Sequence, residues 1–283
     1  MNSSALQRAA QWRLQAVQRR LAARLSRVPL THEDTTVLST AGYQLSTRLT
    51  CPSRSPGRLP GVVVNPGIHQ GRAAVEGYAA VVNAAEVARL GFAVASFDPA
   101  GRGDSWGDED YGGAEHQDDL RSVIRHLAAS PHCDGTVGIL SLSLGVASSV
   151  AAAARWAEDL PLRWLVDWEG PCDREIITSG GTILVPAAGH TLEDDTYWFP
   201  REATRTVGQL RCGYVRLQAL PDHAQPAETR HALRMIHGAR AGSLPWFQLN
   251  DHPRGEVPER ANWIPGGPWA SNRAILRKVR TLG

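Results

Sequence analysis

Residues 136–145 read TVGILSLSLG, and this stretch is the most informative part of the sequence. An apolar, β-prone run ends there at two serines, and the small residues of a closely packed helix follow from Val146 onward. A sharp turn from a buried strand into a helix requires small residues where the two elements pass each other. Ser141 and Gly145 meet that requirement on either side of Ser143. The stretch therefore predicts a strand, a tight turn centred on Ser143, and a helix.

Strand and helix patterns alternate on both sides of this turn. Repeated strand, helix, strand units imply right-handed crossovers and a mostly parallel sheet with helices on both faces. About 40 residues without a clear period interrupt them at 170–210, which is too long for a routine loop and predicts a cap inserted after the sixth strand. The predicted strands are 35–39, 43–50, 62–64, 92–97, 137–140, 163–167, 213–220 and 246–249, and the predicted helices are 73–90, 115–129, 144–158, 227–238 and 269–281.

The first 30 residues differ from the rest, because they hold six arginines and no acidic residue. They predict an amphipathic helix, followed by one folded domain over 31–283. Such a helix packs on its own domain, docks on a membrane surface or a partner, or acts as a transit peptide. The apolar residues at helical spacing are Leu14, Val17, Leu21, Leu25 and Val28.

The composition excludes several classes of protein. With 283 residues, 42% hydrophobic and 20% charged, the chain is typical of a soluble globular protein with a single core. A net charge of +2 gives no field that attracts nucleic acid, so no nucleic-acid partner is expected. The N-terminus lacks the apolar segment of a secretory signal, which predicts a cytoplasmic protein. Four widely spaced cysteines predict free thiols rather than a zinc site: Cys51, Cys133, Cys172 and Cys212.

The turn at Ser143 has a chemical interpretation. A hydroxyl held on a strand-to-helix turn lies beside the N-terminus of the helix, where backbone N–H groups favour developing negative charge. Residues 61–71, GVVVNPGIHQG, form a second strand that opens into a glycine-rich turn. The N–H groups of Ile68 and Leu144 could together bind an oxyanion. Ser143 is therefore a candidate nucleophile, although a small-x-Ser-x-Gly string also occurs at ordinary helix starts.

Residues 98–107, DPAGRGDSWG, follow the next strand and resemble the D-x-x-G-x-G-x-S-x-G loop of α/β-hydrolases. Together with the Ser143 turn and the glycine-rich turn, they make residues 35–283 resemble the α/β-hydrolase superfamily. The resemblance implies an eight-stranded, mostly parallel sheet with a small cap. It also implies a catalytic triad in the chain order Ser, then Asp or Glu, then His.

The resemblance also implies positions for the other triad members. Residues 220–226, LPDHAQP, are similar to the family's D-x-x-x-P turn and make Asp222 the acid. His252, after the last predicted strand, is then the base, although the family's usual preceding glycine is absent. A carboxylate on one ring nitrogen would orient the imidazole that activates Ser143.

Each assignment has an alternative. His252 could be an ordinary loop residue, and Asp222 could only initiate a turn. Asp167 and Glu169, at the end of the preceding strand, are reserve acids, because some members of the superfamily place the acid there. His223 is a reserve base, although its position directly after Asp222 argues against it.

The aromatic residues of the cap region are candidates for a substrate pocket. Trp168 and Trp198 could contact a small-molecule ester or amide, or could form the cap's own core. Metal binding is not expected, because nothing in the segment completes a coordination set around the polar residues of the cap. Those residues are His190, Asp194 and Asp195.

The sequence as a whole favours a cofactor-free serine hydrolase of the carboxylesterase type. A peptidase or an acyltransferase of the same fold is an alternative, since the fold does not set the leaving group. Peptidases of the superfamily often carry a large additional domain, for which this chain has no room, so an esterase is favoured. A non-catalytic protein that binds an apolar ligand in the pocket is a further alternative.

Overall fold

The computed structural model describes residues 28–77, 80–179, 190–224, 229–259 and 262–283. Eight strands form one twisted sheet in the order β1-β2-β4-β3-β5-β6-β7-β9. The first two form an antiparallel hairpin, β2 also pairs antiparallel with β4, and the other pairs are parallel. The strands are β1 (Leu30–Leu38), β2 (Gln44–Pro52), β3 (Leu59–Asn65), β4 (Ala93–Phe97), β5 (Cys133–Leu142), β6 (Leu162–Trp168), β7 (Gly213–Leu217), β8 (Ala219–Leu220), β9 (Phe247–Leu249) and β10 (Ile264–Pro265).

Helices cover both faces of this sheet, as the alternation of patterns predicted. One apolar layer joins the sheet to α3, α4 and α8, and the opposite layer joins it to α1, α2 and α9. Adjacent residues of one strand alternate between the layers, so Ile139 belongs to the first and Leu140 to the second. The helices are α1 (Ala73–Glu76), α2 (Ala84–Ala88), α3 (Ala114–Ala129), α4 (Gly145–Arg155), α5 (Arg174–Ser179), α6 (Asp195–Trp198), α7 (Ala203–Thr206), α8 (Arg230–Ala241) and α9 (Pro268–Arg280).

Two predicted elements are divided in the structure. The helix predicted over 73–90 is α1 and α2, because Asn83 starts a new helix: its side chain accepts from Ala85 N at 2.8 Å, and Glu86 accepts from Asn83 N at 3.1 Å. The strand predicted over 213–220 ends at Leu217, and the short β8 pairs instead with β10.

The cap and the N-terminal helix are only partly within the described residues. Between β6 and β7 the described part consists of α5, α6, α7 and two single-turn 3₁₀ helices. The amphipathic helix predicted within residues 1–30 lies almost entirely outside the described residues, so its docking on a membrane or a partner stays a prediction. Among the residues that the structure describes, no helix combines the length and the apolar character that crossing a bilayer requires.

The carboxyl ends of β5 and β6 carry the sharpest turns of the sheet. Leu142 of β5 pairs with Trp168 of β6, so the following residues, Ser143 and Glu169, leave the sheet side by side. Both adopt the left-handed conformation, each with φ of 50°, which is uncommon outside glycine. The N–H of Ser143 donates to Trp168 O at 2.9 Å, and the N–H of Glu169 donates to Leu217 O at 3.0 Å. These strained residues are thus fixed by the sheet ladder itself.

The turn at Ser143 is as closely packed as its sequence predicted. A Cβ atom on Gly145 would lie 2.3 Å from Pro66 O, so helix α4 passes directly against the turn that follows β3. Ser141 is fully buried, and its Oγ accepts from Ser149 Oγ at 2.8 Å, which accounts for serine at that position.

Replacing Gly145 with Ala should therefore destabilise the fold by about 1–3 kcal/mol, because the added methyl group overlaps the backbone of the neighbouring turn. Gly57→Ala is the matched control, since a Cβ atom there meets nothing within 4 Å. Thermal and urea unfolding of the two variants measures the difference. Equal stability of the two variants would contradict the close packing at Gly145.

Candidate active site

Ser143 and His223 meet at the carboxyl edge of the sheet. His223 Nε2 lies 2.8 Å from Ser143 Oγ, within hydrogen-bonding distance. Only 9% of Ser143 is exposed, and the His223 side chain is 31% exposed, so the pair lies at the surface end of a largely buried site. The imidazole can therefore accept the proton of the hydroxyl group.

The other ring nitrogen of His223 faces two carboxylates. Nδ1 lies 2.8 Å from Glu169 Oε2 and 3.3 Å from Asp222 Oδ1. Glu169 also accepts from His223 N at 3.0 Å and, through Oε1, from Ala219 N at 2.9 Å. The Glu169 carboxylate is thus held by backbone groups in the position that orients the imidazole toward Ser143.

The predicted partnership of His252 with Ser143 is wrong in its geometry. After β9 the chain turns at Asn250, which has φ of 48°, and His252 folds back over its own loop. There His252 Nε2 accepts a hydrogen bond from Asn262 N at 2.9 Å. The imidazole is buried and has its partner within that loop, so His223, the reserve residue of the sequence analysis, is the histidine beside Ser143.

The two predicted acids are also placed differently. Asp222 faces His223 rather than His252, and it lies farther from the ring than the reserve acid Glu169. The reserve acid Asp167 is fully buried and binds Arg216 Nη1 through both oxygens at 2.8 Å. The structure thus brings together Ser143, His223 and Glu169, with Asp222 beside them.

The charges around His223 determine its protonation. Burial lowers its pKa, but the hydrogen bonds and charges of Asp222 and Glu169 outweigh this and raise the pKa from the ordinary 6.5 to about 9. Burial likewise raises the pKa of Asp222, yet its contacts with His223, His231 and Gln218 hold the pKa of this carboxyl far below its ordinary value. The two carboxylates therefore favour the imidazolium form of His223 at neutral pH.

Trp168 lies over the ring of His223. The two rings are stacked, with centroids 4.5 Å apart and planes inclined by 26°. An aromatic face favours a cation above it, so Trp168 adds to the stabilisation of the imidazolium and restricts the tilt of the ring. This places the predicted pocket residue Trp168 in contact with the site.

Trp198, the other predicted pocket residue, is fully buried. Its Nε1 donates to Thr191 O at 2.8 Å, and its ring packs in a small apolar cluster. Trp198 therefore belongs to the cap's own core, which is one of the two roles that the sequence analysis gave for the aromatic residues of the cap. The cluster consists of Leu144, Ala147, Ile177 and Trp198, with Ile68 and Tyr197 packed against it.

The two predicted oxyanion residues lie on turns that touch each other. Ile68 and Leu144 pack in the same apolar cluster. A Cβ atom on Gly67 would lie 3.2 Å from Ser143 Cβ, so the turn after β3 passes directly against the nucleophile candidate. The arrangement is compatible with N–H groups of both turns facing one oxygen.

Residues 98–107, the loop that resembles the α/β-hydrolase pattern, hold the glycine-rich turn after β3 in place. Arg102 Nη1 donates to Gly67 O at 2.7 Å and to Gln70 O at 3.1 Å, while the rest of its guanidinium binds both oxygens of Glu109. Asp98 Oδ1 accepts from Arg72 N at 2.7 Å at the far end of that turn. Arg102 and Asp98 thus fix the backbone on both sides of Ile68.

The described residues contain one set of three possible metal ligands within 4.8 Å of one another, namely Glu169, Asp222 and His223. Both ring nitrogens of His223 already have protein partners, and its N–H lies toward the carboxylates. The donor set therefore fits an acid–histidine group better than a metal site.

This fold is that of the α/β-hydrolase class. The family model for X-Pro dipeptidyl-peptidases of the S15 family matches residues 41–242, which is most of the chain. The protein therefore belongs to that family and is a hydrolase by class. No curated protein sequence matches the chain significantly.

Solved structures with the same fold include esterases and a peptidase. An esterase from Pyrococcus furiosus is 14% identical, with a TM-score of 0.65 over 92% of this chain and 93% of its own. An esterase from Pyrobaculum calidifontis is 15% identical, with a TM-score of 0.65 over 92% and 87%. An acylaminoacyl peptidase from Pyrococcus horikoshii is 14% identical, with a TM-score of 0.63 over 88% of this chain and 40% of its own. At these identities the likeness establishes the fold.

The electrostatics of the site predict an unusual titration. The Cε1–H resonance of His223 should titrate with a midpoint near pH 9, because the imidazolium between Glu169 and Asp222 is favoured below that pH and the neutral ring above it. NMR spectra recorded from pH 5 to 10 measure this, with His223→Gln assigning the signal. A midpoint at or below pH 6.5 would show that the two carboxylates do not outweigh the effect of burial on the pKa of His223.

Proposed function

We propose that the protein is a serine hydrolase of carboxylic esters, with Ser143 as nucleophile, His223 as general base and Glu169 as orienting acid. The observation that carries the proposal is the 2.8 Å contact of Ser143 Oγ with His223 Nε2, opposite a 2.8 Å contact of Nδ1 with Glu169. A serine hydroxyl is a weak nucleophile until such a base accepts its proton.

The reaction follows from these positions. Ser143 Oγ attacks the ester carbonyl while neutral His223 takes the hydroxyl proton at Nε2, and Glu169 stabilises the imidazolium that forms. The N–H groups of Ile68 and Leu144 bind the oxyanion. His223 then donates its proton to the leaving alcohol, which leaves Ser143 acylated. A water molecule, deprotonated by His223, then attacks the acyl group. The bond from the acyl carbon to Ser143 Oγ breaks, the carboxylic acid is released, and His223 returns the proton to Oγ.

Release of X-Pro dipeptides from the N-terminus of peptides is the second candidate reaction, and the family match favours it. A dipeptidyl peptidase must also hold the free ammonium group of its substrate, which requires an anionic partner near the nucleophile. Among the described residues that line the small cavity beside Ser143, the carboxylates are those of Glu169 and Asp222, and both are engaged with His223. This arrangement supports the ester as substrate.

Two further alternatives give different results in simple assays. An acyltransferase would pass the acyl group to an alcohol or amine supplied as acceptor rather than to water. A non-catalytic binding protein would leave Ser143 unlabelled by a fluorophosphonate. Assays with short-chain p-nitrophenyl esters and with an X-Pro p-nitroanilide separate the ester from the dipeptide.

Ser143→Ala and His223→Gln should each lower the turnover of p-nitrophenyl esters, on the order of 10⁶-fold in kcat, because nucleophile and base act as one unit. Ser143→Ala should also abolish fluorophosphonate labelling. His252→Gln is the matched control and should retain most of the activity, since His252 bonds within its own loop. Inactivity of His252→Gln with an active His223→Gln would restore the assignment made from the sequence.

A further inference from the structure

A buried polar network lies behind His223 and is not used in the reaction as described so far. It begins at Arg216 and Asp167, which are both fully buried and pair at 2.8 Å. Tyr214 OH donates to Asp167 Oδ2 at 2.6 Å, so this carboxylate is satisfied by partners of its own. Arg216 Nη2 extends the network, because it donates to Gln218 Oε1 at 2.5 Å and lies 3.1 Å from His231 Nδ1 on α8.

His231 on α8 connects Arg216 to Asp222. Its Nδ1 lies 3.1 Å from Arg216 Nη2 and 3.2 Å from Gly170 O. Its Nε2 lies 3.2 Å from Asp222 Oδ2. His231 therefore lies between the buried guanidinium group of Arg216 and the carboxylate of Asp222.

Asp222 is held as an ion by several donors. Its Oδ2 accepts from Gln218 Nε2 at 2.7 Å, and its Oδ1 accepts from Ala224 N at 2.8 Å. Its side chain is 1% exposed, so these protein groups replace the water that would otherwise solvate the charge. Among the described groups, Asp222 therefore provides a fixed negative charge 3.3 Å from His223 Nδ1.

The charges that face His223 come from each element packed against it. Glu169 faces it from the end of β6, Asp222 from its own turn and Ser143 from the end of β5, and His231 on α8 lies beside Asp222. Arg216 and Asp167 form a pair whose charges offset each other. Two negative charges thus share one ring N–H, where an ordinary triad supplies one.

We propose that Asp222 is a second positioning carboxylate for His223, acting beside Glu169 on the same Nδ1–H. The inference rests on the proposed function, because positioning has meaning only if His223 serves Ser143. An imidazole with a single acid loses its productive tautomer when that acid is neutralised. Here the second carboxylate keeps the proton on Nδ1 when the first is lost, so the site tolerates the loss of either acid better than the loss of both.

Four proteins test this: the wild type, Glu169→Gln, Asp222→Asn and the double variant. The double variant should lose about 10⁴-fold in kcat, the loss expected when a triad histidine has no acid. Each single variant should lose at most about 10²-fold. A Glu169→Gln variant as inactive as the double variant would overturn the proposal, and this variant decides the question even if Asp222→Asn fails to fold.

Titration separates positioning from a merely structural role. In Asp222→Asn the midpoint of the His223 NMR titration, and of the pH profile of kcat/KM, should move to lower pH, because one of the two charges that favour the imidazolium is gone. A lower melting temperature with an unmoved midpoint would show that Asp222 only supports its turn and would overturn the proposal. Asp173→Asn is the control and should move neither midpoint, since Asp173 pairs with Arg234 at 2.8 Å.

The failure of this inference can be distinguished from the failure of the proposed function. If Ser143→Ala keeps its activity or its fluorophosphonate labelling, the proposed function fails whatever Asp222 does. If Ser143 is confirmed while Asp222→Asn leaves rate and titration unchanged, only the role of Asp222 fails. The NMR titration needs no substrate and tests the contact of Asp222 with His223 in either case.

Discussion

The hydrogen bond from the N–H of Ser143 to the carbonyl of Trp168 is the contact on which the site depends. It extends the parallel ladder of β5 and β6 by one residue, so that Ser143 and Glu169 leave neighbouring strands at the same level. Both residues adopt left-handed backbone conformations that cost about 1–3 kcal/mol each. The buried apolar layers on both faces of the sheet stabilise this edge and keep the strained residues in place.

Electrostatic balance is the second constraint on the site. Two carboxylates beside one imidazole favour its protonated form, which is the form that a general base takes after it has accepted a proton. The same charges therefore have two opposite effects. They stabilise the ion pair that develops during attack, and they reduce the fraction of neutral His223 available at neutral pH. Trp168 acts in the same direction, because its ring stacks on the imidazole.

The fold and the Ser143 turn could be predicted from the sequence because both depend on local sequence patterns. Alternating apolar runs give the sheet, and the small residues Ser141 and Gly145 mark the turn. The histidine was missed because contact with Ser143 depends on how a turn 80 positions away folds over the sheet edge. Adjacent side chains of a turn can diverge, so Asp222 enters the interior while His223 reaches the nucleophile. The sequence signal for the observed site was the presence of Glu169 and His223, which the sequence analysis named as the reserve acid and the reserve base.

The placement of the acid has a mechanical consequence. The sequence analysis predicts an acid on the turn after β7 and a histidine after β9. With that arrangement, two of the three groups would lie on loops. In the structure Glu169 follows β6, which pairs directly with the strand that ends at Ser143. The separation of Ser143 and Glu169 is then set by sheet hydrogen bonds, because each of them directly follows a strand, whereas His223 lies farther along its own turn. Sites on regular elements hold their geometry better than sites on loops. The carboxylates that face Nδ1 and the ring of Trp168 restrict the orientation of that one histidine.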